Sequence, residues 1–220
     1  MHNIVLEITQ ALKDATGALP KAGSFWEGFE KLNDLTVDEF STISAGALRR
    51  LGRKTPDFNE SLTEKIKIEI PSLLDKNAGF YGRFILAASV ENSECVKEMI
   101  TRGSDDEQAA AIIALNFRED GELYKDNVVH ACRTNSTPVH SAVSQDNPYP
   151  AKFFDDQEFK QLTIKTIFMG LDFDKIKNLE DRFTGDLGQS LTDFFEERRA
   201  AGRWLPDNVL EFMKRKGLIS

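Results

Sequence analysis

An arginine near the C-terminus is the side chain whose position most directly suggests binding chemistry. Five residues fall on one stripe of a helix: Leu187, Leu191, Phe194, Phe195 and Arg198. A guanidinium that continues an apolar face needs a carboxylate, backbone carbonyls or an anionic ligand, because a buried charge without a partner is very costly. One possibility is an internal salt bridge to Asp146, Asp155 or Asp181. The other is an anion-binding site in which Arg198 is the principal anion-facing group.

The loop from Gln145 to Pro150 is a second candidate. Pro148 and Pro150 each fix their own φ and push the preceding residue toward an extended conformation. Asn147 and Tyr149 are therefore constrained. A rigid loop with amide and phenol groups suits the wall of a polar pocket, and it also suits a plain connection between helices.

Arg133 and Asn135 form a third candidate, ten residues before that loop. Arg133 near a helix C-terminus is also favourable to the helix dipole, which is a structural explanation in its own right. We predict that five residues gather around one polar cavity that binds a ligand: Arg133, Asn135, Asn147, Tyr149 and Arg198. The enzyme alternative, a cofactor-independent reaction on a small polar metabolite, would draw on the same residues together with Asp146 and Arg203.

The sequence lacks the usual signatures of catalysis and of metal binding. It contains no GxSxG, GxxxxGK[ST] or GxGxxG motif. His2, His130 and His140 do not have the spacing of metal-binding pairs, and Cys95 and Cys132 lie far apart without a CxxC motif. We therefore predict no metal, no cofactor and two reduced cysteines. A net charge of −8 also disfavours nucleic acid as a partner.

Helix signals dominate the elements that would position these side chains. Capping-box spacing occurs at five pairs: Ser24/Glu27, Thr36/Glu39, Ser61/Glu64, Ser104/Glu107 and Asp155/Glu158. Ile66, Ile68 and Ile70 alternate with polar residues but have no pairing partner, so we predict helix or extended linker there. Gly79 to Gly82 indicates a close helix contact. These patterns predict an all-α fold, an irregular array of about ten antiparallel helices in a bundle or short α-solenoid.

No linker-like segment divides the sequence, so we predict one helical domain over residues 1–220. No stretch approaches the roughly 18 consecutive apolar residues that indicate a transmembrane helix. The first residues also lack the pattern of a secretory signal peptide. We therefore expect a protein without a transmembrane segment that resides in the cytoplasm.

Several segments together resemble one known family, the EboA family. The segments that carry the resemblance are Asn147–Asp155, Cys132–Asn135, Leu162–Phe168, Arg182 and Glu197–Arg203. Their order and spacing also match, over about residues 78–212. The family usually has histidine where Glu196 stands and tryptophan where Arg199 stands.

The resemblance implies an accessory role. EboA proteins are encoded in bacterial and algal operons with a prenyltransferase, a sugar-isomerase-like protein, a TatD-like hydrolase and a dehydroquinate-synthase-like protein. These operons are linked to the synthesis or export of secondary metabolites. The resemblance implies no catalytic activity, and it implies a partner that is an operon-encoded protein or a small anionic metabolite.

Overall fold

The computed structural model describes residues 2–220, and every regular element among them is a helix. Thirteen α-helices and five short 3-10 segments are present in this range, with no β-strand. The all-α prediction is therefore confirmed, although the helices are more numerous than about ten and several are short. The Ile66–Ile70 segment is mostly helical, because the helix Glu60–Glu69 covers all but its last residue.

The chain divides into two compact units, Met1–Val143 and Ser144–Ser220. A single folding domain over the whole chain stays a prediction, and each unit is described by itself below. The first unit contains α1 (Asn3–Thr16), α2 (Gly23–Glu30), α3 (Val37–Leu51), α4 (Glu60–Glu69), α5 (Ala78–Ser89), α6 (Ser93–Arg102), α7 (Asp105–Ala114), α8 (Lys125–Ala131) and α9 (Thr137–Ser144), which ends at the boundary. The second contains α10 (Tyr149–Phe153), α11 (Asp156–Phe168), α12 (Gly185–Ala200) and α13 (Asp207–Arg215).

Three of the five predicted capping boxes form, at the starts of α3, α7 and α11. The other two predictions are wrong. Ser61 lies inside α4, because Asn59 caps this helix first by accepting a hydrogen bond from the Leu62 amide. Ser24 lies inside α2, where its hydroxyl donates to the Lys21 carbonyl instead.

Helix α5 is the centre of the first unit. Its residues from Ala78 to Ala87 are all buried, and it packs against α1, α3 and α7. A helix that is covered on every side has no polar face, which explains its high apolar content. Gly79 allows α3 to approach closely, because a Cβ there would lie 2.5 Å from the Leu48 Cα atom. The predicted close helix contact is confirmed.

A buried polar cluster joins three helices of this unit. The Glu107 carboxylate on α7 accepts hydrogen bonds from the Ser104 amide, the Ser104 hydroxyl and the Ser44 hydroxyl of α3. Arg83 on α5 is 5% exposed and donates to the Ser44 carbonyl and to Asp106. Burial raises the pKa of Glu107, but these hydrogen bonds and the Arg83 charge lower it by more, so that its pKa lies below the usual range.

We expect the contribution of Glu107 to stability to depend on pH. Because its pKa is depressed in the folded state, the ionised group stabilises the fold above the unfolded-state pKa of about 4.3, and this stabilisation is lost as the pH falls through the folded-state pKa. Glu107→Gln should lower the free energy of unfolding by about 2 kcal/mol near neutral pH, and by much less once the pH has fallen below the folded-state pKa of Glu107. Urea unfolding across this pH range measures the difference. Glu94→Gln, at an exposed side chain, is the control. A stability difference between the native protein and Glu107→Gln that does not change with pH would contradict the depressed pKa of Glu107.

In the second unit, Arg182 holds the short helix α10. Its guanidinium donates to the carbonyls of Ala151 and Phe154 at 2.6 and 2.9 Å and to the Asp156 carboxylate at 3.1 Å, and it lies over the Phe159 ring. These carbonyls lie at the end of α10, where no further turn of helix can satisfy them. Arg182 therefore fixes the end of α10 to the start of α11.

Helix α13 closes the other side of this unit. Phe212 packs edge to face against Phe173 and Phe183, with ring centroids 5.1 and 5.7 Å away. Its C-terminal cations, Arg215 and Lys216, form ion pairs with Glu180. No helix within the described range is both long and apolar enough to cross a membrane.

Candidate functional site

A surface groove between α11 and α12, which we call the α11–α12 groove, is the most ligand-like feature of the second unit. This open groove has a volume of about 610 Å³, within the roughly 300–1,000 Å³ typical of small-molecule sites. Its lining residues are Lys160, Gln161, Ile164, Lys165 and Phe168 on α11 and Ser190, Asp193, Phe194 and Glu197 on α12. The apolar side chains are thus flanked by lysines on one wall and by carboxylates on the other.

Contacts near each end of the groove show that α11 and α12 run in the same general direction. Near the starts of the helices, the Lys160 ammonium lies 2.6 Å from the Asp186 carboxylate. Near their ends, the Arg198 guanidinium carbon lies 5.3 Å from the Phe168 ring centroid. The connection between the helices, residues 169–184, is long enough to return the chain to the starting end.

Arg198 lies against aromatic rings at this end of the groove. Its guanidinium is 4.9 Å from the Phe194 ring as well as 5.3 Å from the Phe168 ring, distances at which cation–π attraction operates. Within residues 2–220 its side chain makes no hydrogen bond or ion pair with the protein. The two rings hold the guanidinium and leave its N–H donors uncommitted, which is an arrangement suited to a planar carboxylate.

The predicted stripe on α12 is therefore only partly buried. Leu187 and Leu191 are fully covered, whereas Phe194, Phe195 and Arg198 are half-buried. None of the three expected salt-bridge partners of Arg198 is paired with it. Asp146 lies 3.1 Å from Lys177, Asp155 caps α11, and Asp181 accepts a hydrogen bond from Asn178. The expected internal salt bridge does not form, because the part of the stripe that contains Arg198 lies at the edge of the groove and not in the interior of the unit.

Asn147 and Tyr149 are buried structural residues of the second unit. The side-chain oxygen of Asn147, Oδ1, accepts a hydrogen bond from the Tyr149 backbone amide and so forms the turn that starts α10. Tyr149 is 1% exposed and packs against the rings of Phe153 and Phe154. Neither residue lines the α11–α12 groove.

Arg133 and Asn135 lie in the first unit, in the turn between α8 and α9, and both are exposed. The gathering of all five predicted residues around one cavity stays a prediction. Within the second unit, the recorded contacts of Arg198 are with Phe168 and Phe194, not with Asn147 or Tyr149. None of the five predicted residues is among those that line the groove, and Arg198 borders it through its contacts with Phe168 and Phe194.

A spacing signal for the groove is present in the sequence. Lys160, Ile164 and Phe168 recur every four residues, which places them on one face of α11. The buried face of the same helix is a different one, formed by Phe159, Leu162, Thr163, Thr166 and Ile167. A helix with a second partly apolar face suggests an additional contact, and Phe168 is 62% exposed on that face.

Two cavities in the first unit are lined by arginines that already have partners, Arg102 in one and Arg118 in the other. One, of about 160 Å³, is lined by Ser44 and Glu107, whose side chains bond to each other. The other, of about 700 Å³, is lined by Arg118 and Asp120. Arg118 donates to both Asp120 oxygens at 2.8 Å and to the carbonyls of Ala87 and Val90 at 2.9 and 2.5 Å. Neither cavity offers an arginine as uncommitted as Arg198, since Arg102 and Arg118 both form ion pairs.

Metal-type side chains do not cluster in the described residues. No group of three or more histidine, cysteine, aspartate or glutamate side chains there could hold a metal ion. Cys95 is buried, and no disulfide joins it to Cys132.

The fold and the groove together define an all-helical protein with an amphipathic surface site. Comparison with family profiles makes the assignment narrower: the profile described as "Metabolite traffic protein EboA" matches residues 85–214, more than half of the chain. The chain belongs to the EboA family, which confirms the resemblance noted in the sequence. Comparisons with curated proteins and with solved structures each found no match.

Proposed function

We propose that this chain is a non-catalytic accessory protein of metabolite traffic that acts in the cytoplasm and binds a small anionic metabolite in the α11–α12 groove. The observation that carries the proposal is Arg198, a guanidinium held by two rings beside an apolar groove and left without a carboxylate partner. The family description, metabolite traffic, agrees with this role. Arg198 binds the anionic group, while Ile164, Phe168 and Phe194 contact the apolar part of the ligand.

A fluorescent probe of matching chemistry tests the site. Anilinonaphthalene sulfonate combines fused apolar rings with one anionic group. We expect Arg198→Met to raise its Kd about tenfold, equivalent to about 1.4 kcal/mol, because the charge is lost while most of the aliphatic packing is kept. Fluorescence titration with a measured stoichiometry gives the Kd.

Arg203→Met is the matched control, because it removes the same charge from an exposed side chain that, unlike Arg198, makes no cation–π contact with the Phe168 and Phe194 rings of the groove. We expect its Kd to equal that of the native protein, and both variants to unfold near the native temperature. Equal affinities for all three proteins would contradict the binding role of Arg198. A large fall in melting temperature for Arg198→Met with unchanged affinity would show that the residue is purely structural.

A protein encoded in the same operon is the second candidate partner. The observation that favours it is Trp204, which is 81% exposed just after the end of α12. Tryptophan is enriched in protein interfaces and often provides much of their binding energy. Retention of a partner by the native protein but not by Trp204→Ala would support this candidate.

The enzyme alternative requires a group that transfers protons beside the bound ligand. Glu197 is the carboxylate of the groove closest in sequence to Arg198. Recovery of the bound compound unchanged after long incubation with the protein supports binding alone. Conversion that depends on Glu197 would support the enzyme alternative.

A further inference from the structure

Two adjacent residues at the end of the α11–α12 groove carry opposite charges, and neither is neutralised within residues 2–220. Glu197 lines the groove, and its carboxylate makes no ion pair or side-chain hydrogen bond there. The guanidinium of Arg198, the next residue, makes cation–π contacts with the two rings and no hydrogen bond or ion pair there. Adjacent residues of α12 thus present a free acceptor and a free donor.

Other charged groups of this surface are already engaged. Lys160 pairs with Asp186 at 2.6 Å, and Asp193 accepts a hydrogen bond from Gln189 at 2.8 Å. Arg199 forms an ion pair with Glu196. The ion pairs compensate the charges of Lys160 and Arg199, the hydrogen bond from Gln189 engages the Asp193 carboxylate without neutralising it, and Lys165 also has an interaction of its own. Glu197 and Arg198 are therefore the charged side chains here that have no hydrogen-bond or ion-pair partner within residues 2–220.

On α12, the Phe194 ring lies next to both charged side chains. Consecutive residues on an α-helix point about 100° apart around its axis. Phe194 lies three residues before Glu197 and four before Arg198, so its ring is adjacent to both side chains. Arg198 extends from there to Phe168 on α11. A ligand headgroup that bridges the two charges therefore rests above an aromatic surface.

This arrangement discriminates among headgroups by repulsion as well as by attraction. A simple carboxylate bound to Arg198 lies close to the negative charge of Glu197, and a simple amine bound to Glu197 lies close to the positive charge of Arg198. A headgroup that carries both an ammonium and a carboxylate satisfies both residues at once. Such opposing contacts are a general source of specificity.

We propose that the groove selects an apolar α-amino acid, or a derivative that keeps the free ammonium and carboxylate on an apolar body. The ammonium binds Glu197, the carboxylate binds Arg198, and the apolar part lies on Phe194, Phe168 and Ile164. This inference rests on the proposed function, since it uses Arg198 as the group that binds the carboxylate. It adds the requirement for an amine and assigns that requirement to Glu197.

Three matched compounds test the headgroup. Free phenylalanine has both charges, phenylpropanoate lacks the amine, and phenethylamine lacks the carboxylate. We expect phenylalanine to bind about threefold or more tightly than either of the others, in line with the modest energy of a solvent-exposed ion pair. Isothermal titration calorimetry or saturation-transfer nuclear magnetic resonance with the full chain measures the three affinities.

Two variants test which residue binds each charged group of the ligand. Glu197→Gln should abolish the preference for phenylalanine over phenylpropanoate and leave phenylpropanoate binding equal or tighter. The matched control is Glu196→Gln, which removes a neighbouring carboxylate that is paired with Arg199, and it should keep the preference. Arg198→Met should weaken both carboxylate compounds about tenfold.

The outcomes separate this inference from the proposed function. Equal binding of phenylalanine and phenylpropanoate, both weakened by Arg198→Met, overturns the amine requirement and leaves the anion site standing. Unchanged binding of both compounds in Arg198→Met overturns the two proposals together. Failure of all three compounds to bind at millimolar concentration also overturns the amino-acid assignment, whereas the sulfonate probe would still report on the anion site.

Discussion

Replacing Arg118 with methionine should lower the free energy of unfolding by about 3 kcal/mol, because it leaves the Asp120 carboxylate without its counter-charge and removes the donor to two backbone carbonyls. The Arg118 side chain is 7% exposed, and its guanidinium joins Asp120 to the carbonyls of Ala87 and Val90 near the end of α5. It also lies over the Tyr124 ring, 5.5 Å from the centroid. Urea unfolding at neutral pH, with fluorescence and circular dichroism as probes, measures the change.

Arg102→Met provides the comparison, since it removes an arginine of the same unit that is 78% exposed and pairs only with Glu98 on its own helix. Such exposed pairs contribute about 0.3–0.5 kcal/mol. Equal losses for the two variants would show that Arg118 is not a structural centre of the first unit. A loss in Arg118→Met that Asp120→Asn reproduces only in part would show that the carbonyl contacts contribute as well.

Replacing Gly79 with alanine should lower the free energy of unfolding by about as much as Arg118→Met. The added Cβ would lie 2.5 Å from the Leu48 Cα atom and 2.9 Å from its amide nitrogen, and backbone atoms cannot move aside as a flexible side chain does. The helices α3 and α5 must then separate, at a cost of about 3 kcal/mol from overpacking and lost contacts. Thermal unfolding should show a melting temperature lower by roughly 6–12 °C, given the size of the chain.

Gly23→Ala is the matched control, because a Cβ at the start of α2 would meet no atom within 4 Å. It should leave stability unchanged or raise it slightly, since alanine restricts the unfolded chain and favours helix. A Gly79→Ala protein as stable as the Gly23→Ala protein would contradict the close approach of α3 and α5.

The helices could be predicted because their signals are local. Thr36, Ser104 and Asp155 cap helices through contacts with residues three positions away, and such contacts depend on little else. The same reasoning failed at Ser61, because Asn59 two residues earlier is an equally good cap and the longer helix wins. The all-helical fold class could therefore be predicted from the sequence, whereas the ends of the helices and their total number could not.

The candidate site was less predictable because it depends on which helix faces remain uncovered. Arg198 was identified from its stripe, but the depth at which that stripe emerges into the groove is a tertiary property. Tyr149 was predicted to line a pocket, yet its phenol ring fills the interior of its unit. Arg182 was noted only through family resemblance, and its role in holding α10 depends on carbonyls about 30 residues earlier in the chain.

The central position of α5 determines whether the segment that matches the family can be produced as a separate protein. The family match begins at residue 85, within α5, and so leaves out α1, α3 and the first half of α5 itself. A protein trimmed to the matched residues would lose the helices that cover α5 and would uncover the side of α7 that packs on it. The start of the family match is thus a limit of sequence similarity and not the start of a segment that folds on its own. A protein cut at residue 85 would lose half of the buried central helix of the first unit.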